Sequence, residues 1–215
     1  MTILRLRSLG LLVLAVTLSF AVAEADTIVH DADIPLSTTN WSESLTIPQF
    51  NEAGCELDSV CFELMGYVEG SAKFENLDAA PATITMDLKA IITLQRPDTT
   101  PLVTTIPLAQ TEDTVTEFDQ VIDFGGTSGM TYPDLNGEKT ESACVSDPAD
   151  LALFTGTGDI VLPAVAEGAS TGSGAGNLLL QFNTSAAASV QVTYFYTCPV
   201  STEESTWGSI KRIFH

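Results

Sequence analysis

One pentapeptide carries the spacing of a catalytic nucleophile. Gly168-Ala169-Ser170-Thr171-Gly172 matches G-x-S-x-G, in which a serine at a sharp strand-to-helix turn is activated by a histidine for acyl transfer. The partners are missing. Ser170 opens a Gly/Ser-rich stretch with no helical periodicity behind it, and the histidine downstream is His215, the last of the 215 residues. The overlapping run Gly172-Ser173-Gly174-Ala175-Gly176 fails the dinucleotide pattern G-x-G-x-x-G, because Asn177 stands where the third glycine is required.

Acids are abundant. With 28 Asp and Glu in the chain, close carboxylate pairs are inevitable and do not argue for a glycosidase. Asp147, Asp150, Asp159 and the pair Asp119/Asp123 have the oxygen chemistry of calcium ligands, but none has EF-hand spacing, and a solvated acidic surface is the favoured reading. Zinc is disfavoured because Cys55, Cys61, Cys144 and Cys198 contain no C-x2-C pair, while His30 and His215 lie near the ends. Trp41, Tyr67, Tyr132 and Phe195 are the aromatics that would form a carbohydrate platform. Tyr67 and Phe195 fall on outward strand parities, where pairing across strands or cover by a loop is the preferred reading. No catalytic residue, metal or cofactor is expected.

The elements that would position these residues are strands. Ile84, Met86, Leu88, Ala90, Ile92 and Leu94 share one parity against Thr83, Thr85, Asp87, Lys89 and Thr93. Val60, Phe62, Leu64, Val68, Ala72 and Phe74 alternate with Glu63, Glu69, Ser71 and Lys73. Val190, Val192, Tyr194 and Tyr196 alternate with Gln191, Thr193 and Thr197. A period of two gives each strand one buried and one wet face. Gly66 and Gly70, on the inward parity, mark a bulge or a close crossing by a facing sheet. Turn signals at Asp78–Pro81, Arg96-Pro97-Asp98, Gly125–Gly129, Asp134–Gly137 and Gly168–Gly176 separate the runs. One helical turn is expected at Asp147–Phe154, with Asp147 as cap and Pro148 at the first position. The pattern predicts an all-β fold: an antiparallel, jelly-roll-like β-sandwich of roughly nine or ten strands over residues 26–198.

Residues 1–25 have the build of a secretory signal peptide. Arg5 and Arg7 precede an apolar stretch from Leu9 to Val22, and cleavage is expected after Ala23 or Ala25. The stretch is too short to span a bilayer, and no second apolar run approaches that length. Four cysteines agree with export and two disulfides; of the three connectivities, Cys55–Cys61 with Cys144–Cys198 is favoured. The formal charge of −20 repels phosphate backbones, so nucleic acid is excluded as a partner. Residues 199–215 form a polar linker and a short amphipathic tail. Trp207, Ile210 and Phe214 lie three and four apart, with Lys211 and Arg212 near the end of that helical face. Two readings stand for the tail: a terminus packed loosely on the domain, or a docking or sorting tag for a cell-envelope component.

Several segments resemble the choice-of-anchor E domain of exported bacterial proteins. They are Ile47–Asn51, Gly70–Leu77, Ile92–Pro97, Asp123–Gly129, Asp150–Gly158 and Val190–Tyr196, spread over residues 27–197. The resemblance implies a β-domain carried to the bacterial surface, with no established catalytic residues. Many members of that family end in a Pro-Glu-Pro tail with an apolar helix and a basic cluster; Trp207 to His215 stands here instead, and the four cysteines are a second departure. Together these readings predict an exported, non-catalytic domain with a structural, adhesive or matrix role at the cell envelope. A carbohydrate- or calcium-binding module is the alternative.

Overall fold

The computed structural model describes residues 25–199. The expected leader, apart from Ala25, and the tail beyond Pro199 lie outside the described residues. In chain order the strands are β1 (Ala25–Thr38), β2 (Trp41–Pro48), β3 (Glu56–Asn76), β4 (Ala82–Gln95), β5 (Pro101–Thr105), β6 (Leu108–Val115), β7 (Gly129–Val145), β8 (Asp159–Gly168), β9 (Thr171–Ser173) and β10 (Leu178–Thr197). A single helix among the described residues, α1 (Pro148–Phe154), sits between β7 and β8. Asp147 caps it, its carboxylate accepting the Ala149 N–H at 2.9 Å, with Pro148 opening the first turn as expected.

The strands form two antiparallel sheets. One has the order β1-β10-β3-β7, the other β2-β8-β4-β5, with β6 and β9 also paired to β4. The faces are those the period of two predicts. Phe62, Leu64, Val68, Ala72, Phe74, Val190, Val192 and Tyr194 of the first sheet are buried. So are Ile84, Met86, Leu88, Ala90, Ile92 and Leu94 of the second. Residues of both sheets meet in a main apolar core and in a smaller cluster beside it around Phe74 and Met86, so the fold is a β-sandwich. Phe154, the buried residue of α1, closes one end of that core against Phe62 and Tyr194, with ring centroids 5.5 and 6.4 Å away.

Both inward glycines have the roles open to them. A Cβ on Gly66 would lie 2.6 Å from Thr105 Cγ2 of the facing sheet, so a side chain there would push the layers apart. Gly70 stands at the register shift between β3 and β7, and a Cβ there would strike the Asn183 carbonyl. The Asp134–Gly137 turn signal is corrected: these residues lie within β7. Pro133 and Asp134 fall at the same shift, between the pairs Ala72–Tyr132 and Gly70–Leu135, so turn-forming chemistry makes a bulge while the ladder continues.

The sandwich has two poles. Ala25 pairs with Thr197, and the start of β3 pairs with the end of β10, so both ends of the described chain emerge at one pole together with α1. The other pole holds residues 116–128, which join β6 to β7.

Candidate functional site

The cysteines lie at the pole of the chain ends. All four are bridged, but as Cys55–Cys198 and Cys61–Cys144. This corrects the favoured connectivity. Cys61 lies within β3 and Cys55 just before it, so six extended residues hold them about 20 Å apart, beyond the reach of a disulfide. Cys61 is instead in register with Cys144 of β7. Cys55 lies where β3 meets β10, whose last residue Thr197 precedes Cys198. Two such bridges belong to a chain that folds in an oxidising compartment.

A second set of contacts binds this pole. The Arg96 guanidinium makes a two-pronged pair with Asp150, Nε to Oδ1 and Nη2 to Oδ2, each 2.8 Å. That hydrogen-bonded cation holds the Asp150 carboxyl below its ordinary range. The Phe50 N–H donates to the Phe154 carbonyl at 2.7 Å, and the Gly156 N–H returns to the Phe50 carbonyl at 3.0 Å. Tyr194 Oη donates to the Pro48 carbonyl at 2.9 Å, and burial pushes its pKa up to about 12. Between α1 and the start of β3 lies an open groove of about 570 Å³, floored by Phe50, Leu57 and Leu151 and edged by Cys55, Glu56 and Ala152.

The opposite pole is organised around a carboxylate that strand parity alone would leave in water. Glu75 shares the outward parity of Ser71 and Lys73 yet is fully buried, because residues 116–128 fold over it. Its Oε2 accepts the Phe124 N–H at 2.8 Å and its Oε1 accepts the Ser128 hydroxyl at 2.5 Å. Asn76, also buried, donates from Nδ2 to the carbonyls of Ala80 and Thr116, while its Oδ1 accepts the Asp78 N–H. The Thr116 N–H donates to the Thr127 carbonyl at 3.0 Å and closes the neck, which makes the segment an Ω-loop. Within it Asp119 accepts the N–H groups of Val121 and Thr127, which lower its pKa. Phe124 is held at φ +57°, a conformation that a bulky residue adopts only when its surroundings impose it. Lys73 lies over its ring, 5.8 Å from the centroid. At the tip Val121 and Ile122 are 52% and 59% exposed.

The remaining candidates have structural partners. Ser170 stands where the neighbour of β4 changes from β8 to β9. The Lys89 N–H donates to its Oγ at 3.1 Å, and that Oγ lies 3.0 Å from Thr184 Oγ1. The serine thus fills a gap in the ladder. His30, the histidine among the described residues, lies on β1 against the Tyr194 ring, 5.5 Å between centroids. Asp159 opens β8, while Asp147, Asp150 and Asp119 have the partners given above and Asp123 accepts the Gly125 N–H. No group of three or more His, Cys, Asp or Glu among the described residues is placed to hold a metal.

The aromatics do not converge on one surface. Trp41 donates its indole N–H to the Ala186 carbonyl, and Tyr132 packs on Phe74 and donates to Asp113. Tyr67 donates to Glu69, and Phe195 is in register with Thr27 and Ser59. No helix among the described residues is long and apolar enough to cross a membrane. The tail residues Trp207, Ile210, Lys211, Arg212 and Phe214 lie outside the described residues.

Glu75 and Asn76 escaped the sequence reading. An Asp-Phe-Gly-Gly-Thr-Ser-Gly loop rich in N–H and hydroxyl donors signals a need for an acceptor, but nothing in the sequence says which of 28 acids supplies it.

No family model matches the chain, and no curated protein matches it. Among solved structures, the infectious bursal disease virus VP2 subviral particle is 13% identical over 89% of this chain and 47% of that one, with a TM-score of 0.18. The infectious bursal disease virus Gx strain structure is 14% identical over 86% of this chain and 47% of that one, with a TM-score of 0.14. The chain spans less than half the length of these viral chains, and a likeness at these TM-scores carries no argument.

Proposed function

We propose that the chain is an exported, non-catalytic β-sandwich with a structural, adhesive or matrix role at the bacterial cell envelope, of the choice-of-anchor E type. One observation carries the reading. Side chains with the chemistry to react have structural partners: Ser170 patches a sheet, Asp147 caps α1, Asp150 holds the Arg96 guanidinium and Asp119 holds its own loop. The segments behind the family resemblance also meet one another. Glu75 of one accepts the Phe124 N–H and the Ser128 hydroxyl of another, the Asn76 N–H donates to the Ser128 carbonyl, Arg96 joins Asp150, and Phe50 joins Phe154. Motifs that pair in this way form one scaffold of contacts. The sheet orders support a jelly-roll topology once β6 and β9 are taken as continuations of β5 and β8.

Both ends of the described chain leave one pole, so attachment there would turn the Ω-loop outward, with Val121 and Ile122 as its contact. The leader expected at residues 1–25 and the two disulfides favour the exported compartment. Fractionation of producing cells should place the protein in the envelope or medium. A Val121→Asp/Ile122→Asp variant should fold normally and lose adhesion to the cell surface or matrix. A cytoplasmic location, saturable binding of calcium or a glycan in calorimetry, or ester hydrolysis abolished by Ser170→Ala would overturn the proposal.

A further inference from the structure

We infer that the groove between α1 and the start of β3 is the seat of the chain's own residues 207–214. This develops the reading of the tail as a terminus packed on the domain, and its test is independent of where the protein is located.

The first support is the tether. Cys198 is bonded to Cys55, and Cys55 forms an edge of the groove. Trp207 follows Cys198 by nine residues, a span of up to about 30 Å when extended, so the segment reaches any part of the groove. The second is shape and polarity. The floor is Phe50, Leu57 and Leu151, and its volume of about 570 Å³ lies in the range that accepts a large aromatic group. Trp207, Ile210 and Phe214 present one apolar face at helical spacing. A segment of that length is marginal as an isolated helix and gains its order from a surface to pack on.

The third support is charge. The Lys and Arg of the described body have local partners: Lys73 on Phe124, Lys89 with Asp87, Arg96 with Asp150 and Lys139 with Glu141. Glu56 is the acid that lines the groove, and Glu52 and Asp147 stand next to its lining residues, one turn before Cys55 and beside Pro148. Lys211 and Arg212 bring the opposite charge. A second copy of the chain offers the same tail but lacks the tether, which raises the local concentration of the chain's own segment.

The test uses the full oxidised chain carrying Trp41→Phe, so that Trp207 is the single tryptophan. Docking predicts an emission shifted to the blue of a solvent-exposed indole and several-fold protection from acrylamide quenching. Ala152→Arg places bulk and positive charge on an exposed position of α1 without touching the core. It should abolish both the shift and the protection, and Leu151→Glu should do the same. A photo-cross-linker at position 152 should capture residues 207–214 within one chain, as read from mixed isotope-labelled and unlabelled protein. An indole exposed from the start, a shielded indole indifferent to both groove variants, or cross-links only between chains would each overturn the inference.

Discussion

The carboxylate of Glu75 accepts the backbone N–H of Phe124 at 2.8 Å across 49 residues of sequence, and nothing of Glu75 reaches solvent. A buried carboxylate is tolerated only when its oxygens are paired, and the Ser128 hydroxyl completes the pairing. The relationship turns a long connection into a fixed platform.

Glu75→Ala would leave the Phe124 N–H and the Ser128 hydroxyl without their acceptor. Hydrogen bonds to a charged group contribute about 1.5–3 kcal/mol each, so a loss of at least about 2 kcal/mol is expected in urea unfolding. Limited proteolysis should cut within residues 119–126 in the variant and spare the wild type. Glu75→Gln, which keeps acceptor oxygen, should fall between them.

Ser170→Ala removes the acceptor for the Lys89 N–H where β8 gives way to β9. The expected loss is about 1 kcal/mol, with faster hydrogen exchange at the Lys89 amide. An unchanged exchange rate would mean that the hydroxyl does not bridge the gap.

Peptide mapping of the unreduced protein should recover Cys55 linked to Cys198 and Cys61 linked to Cys144. Removing either bridge by a double Cys→Ser change should cost about 2–5 kcal/mol. The bridge spanning 143 residues should cost about 0.5 kcal/mol more than the one spanning 83, on chain-entropy grounds.

The Arg96–Asp150 pair gives a pH signature in acid. Folding lowers the Asp150 pKa below the ordinary 3.8, so its contribution is complete above that pH and is lost as pH falls through the lowered value. Arg96→Met should therefore be less stable than wild type at neutral pH, and the difference should shrink in acid below about pH 4. A difference that stayed constant down to pH 2 would show that packing of the side-chain stem, not charge, is what Arg96 supplies.

Tyr194 gives the signature in base. Its phenol is raised from 10.0 to about 12 by burial, so the unfolded chain ionises first as the pH rises. The stability it contributes is full below about pH 10 and is lost as pH climbs towards 12. Tyr194→Phe should flatten the alkaline fall in melting temperature between those values while giving up the hydrogen bond to Pro48.

Strand parity was legible because it is local. A residue's face depends on its neighbours two positions away, so Phe62 to Phe74 and Ile84 to Leu94 could be placed inward from type alone. The cap at Asp147 and the roles open to Gly66 and Gly70 were equally local. Partner choice is not local. Cys61 meets Cys144, Glu75 meets Phe124 and Arg96 meets Asp150 because strands far apart in the chain come into register, and register is set by two whole sheets closing on a shared core. Composition and alternation determined that this chain buries one face of each strand and turns an acidic face to water. Only the tertiary structure decided which cysteines bond, which acid leaves the water to hold the Ω-loop, and that a serine spaced like a nucleophile repairs a sheet instead.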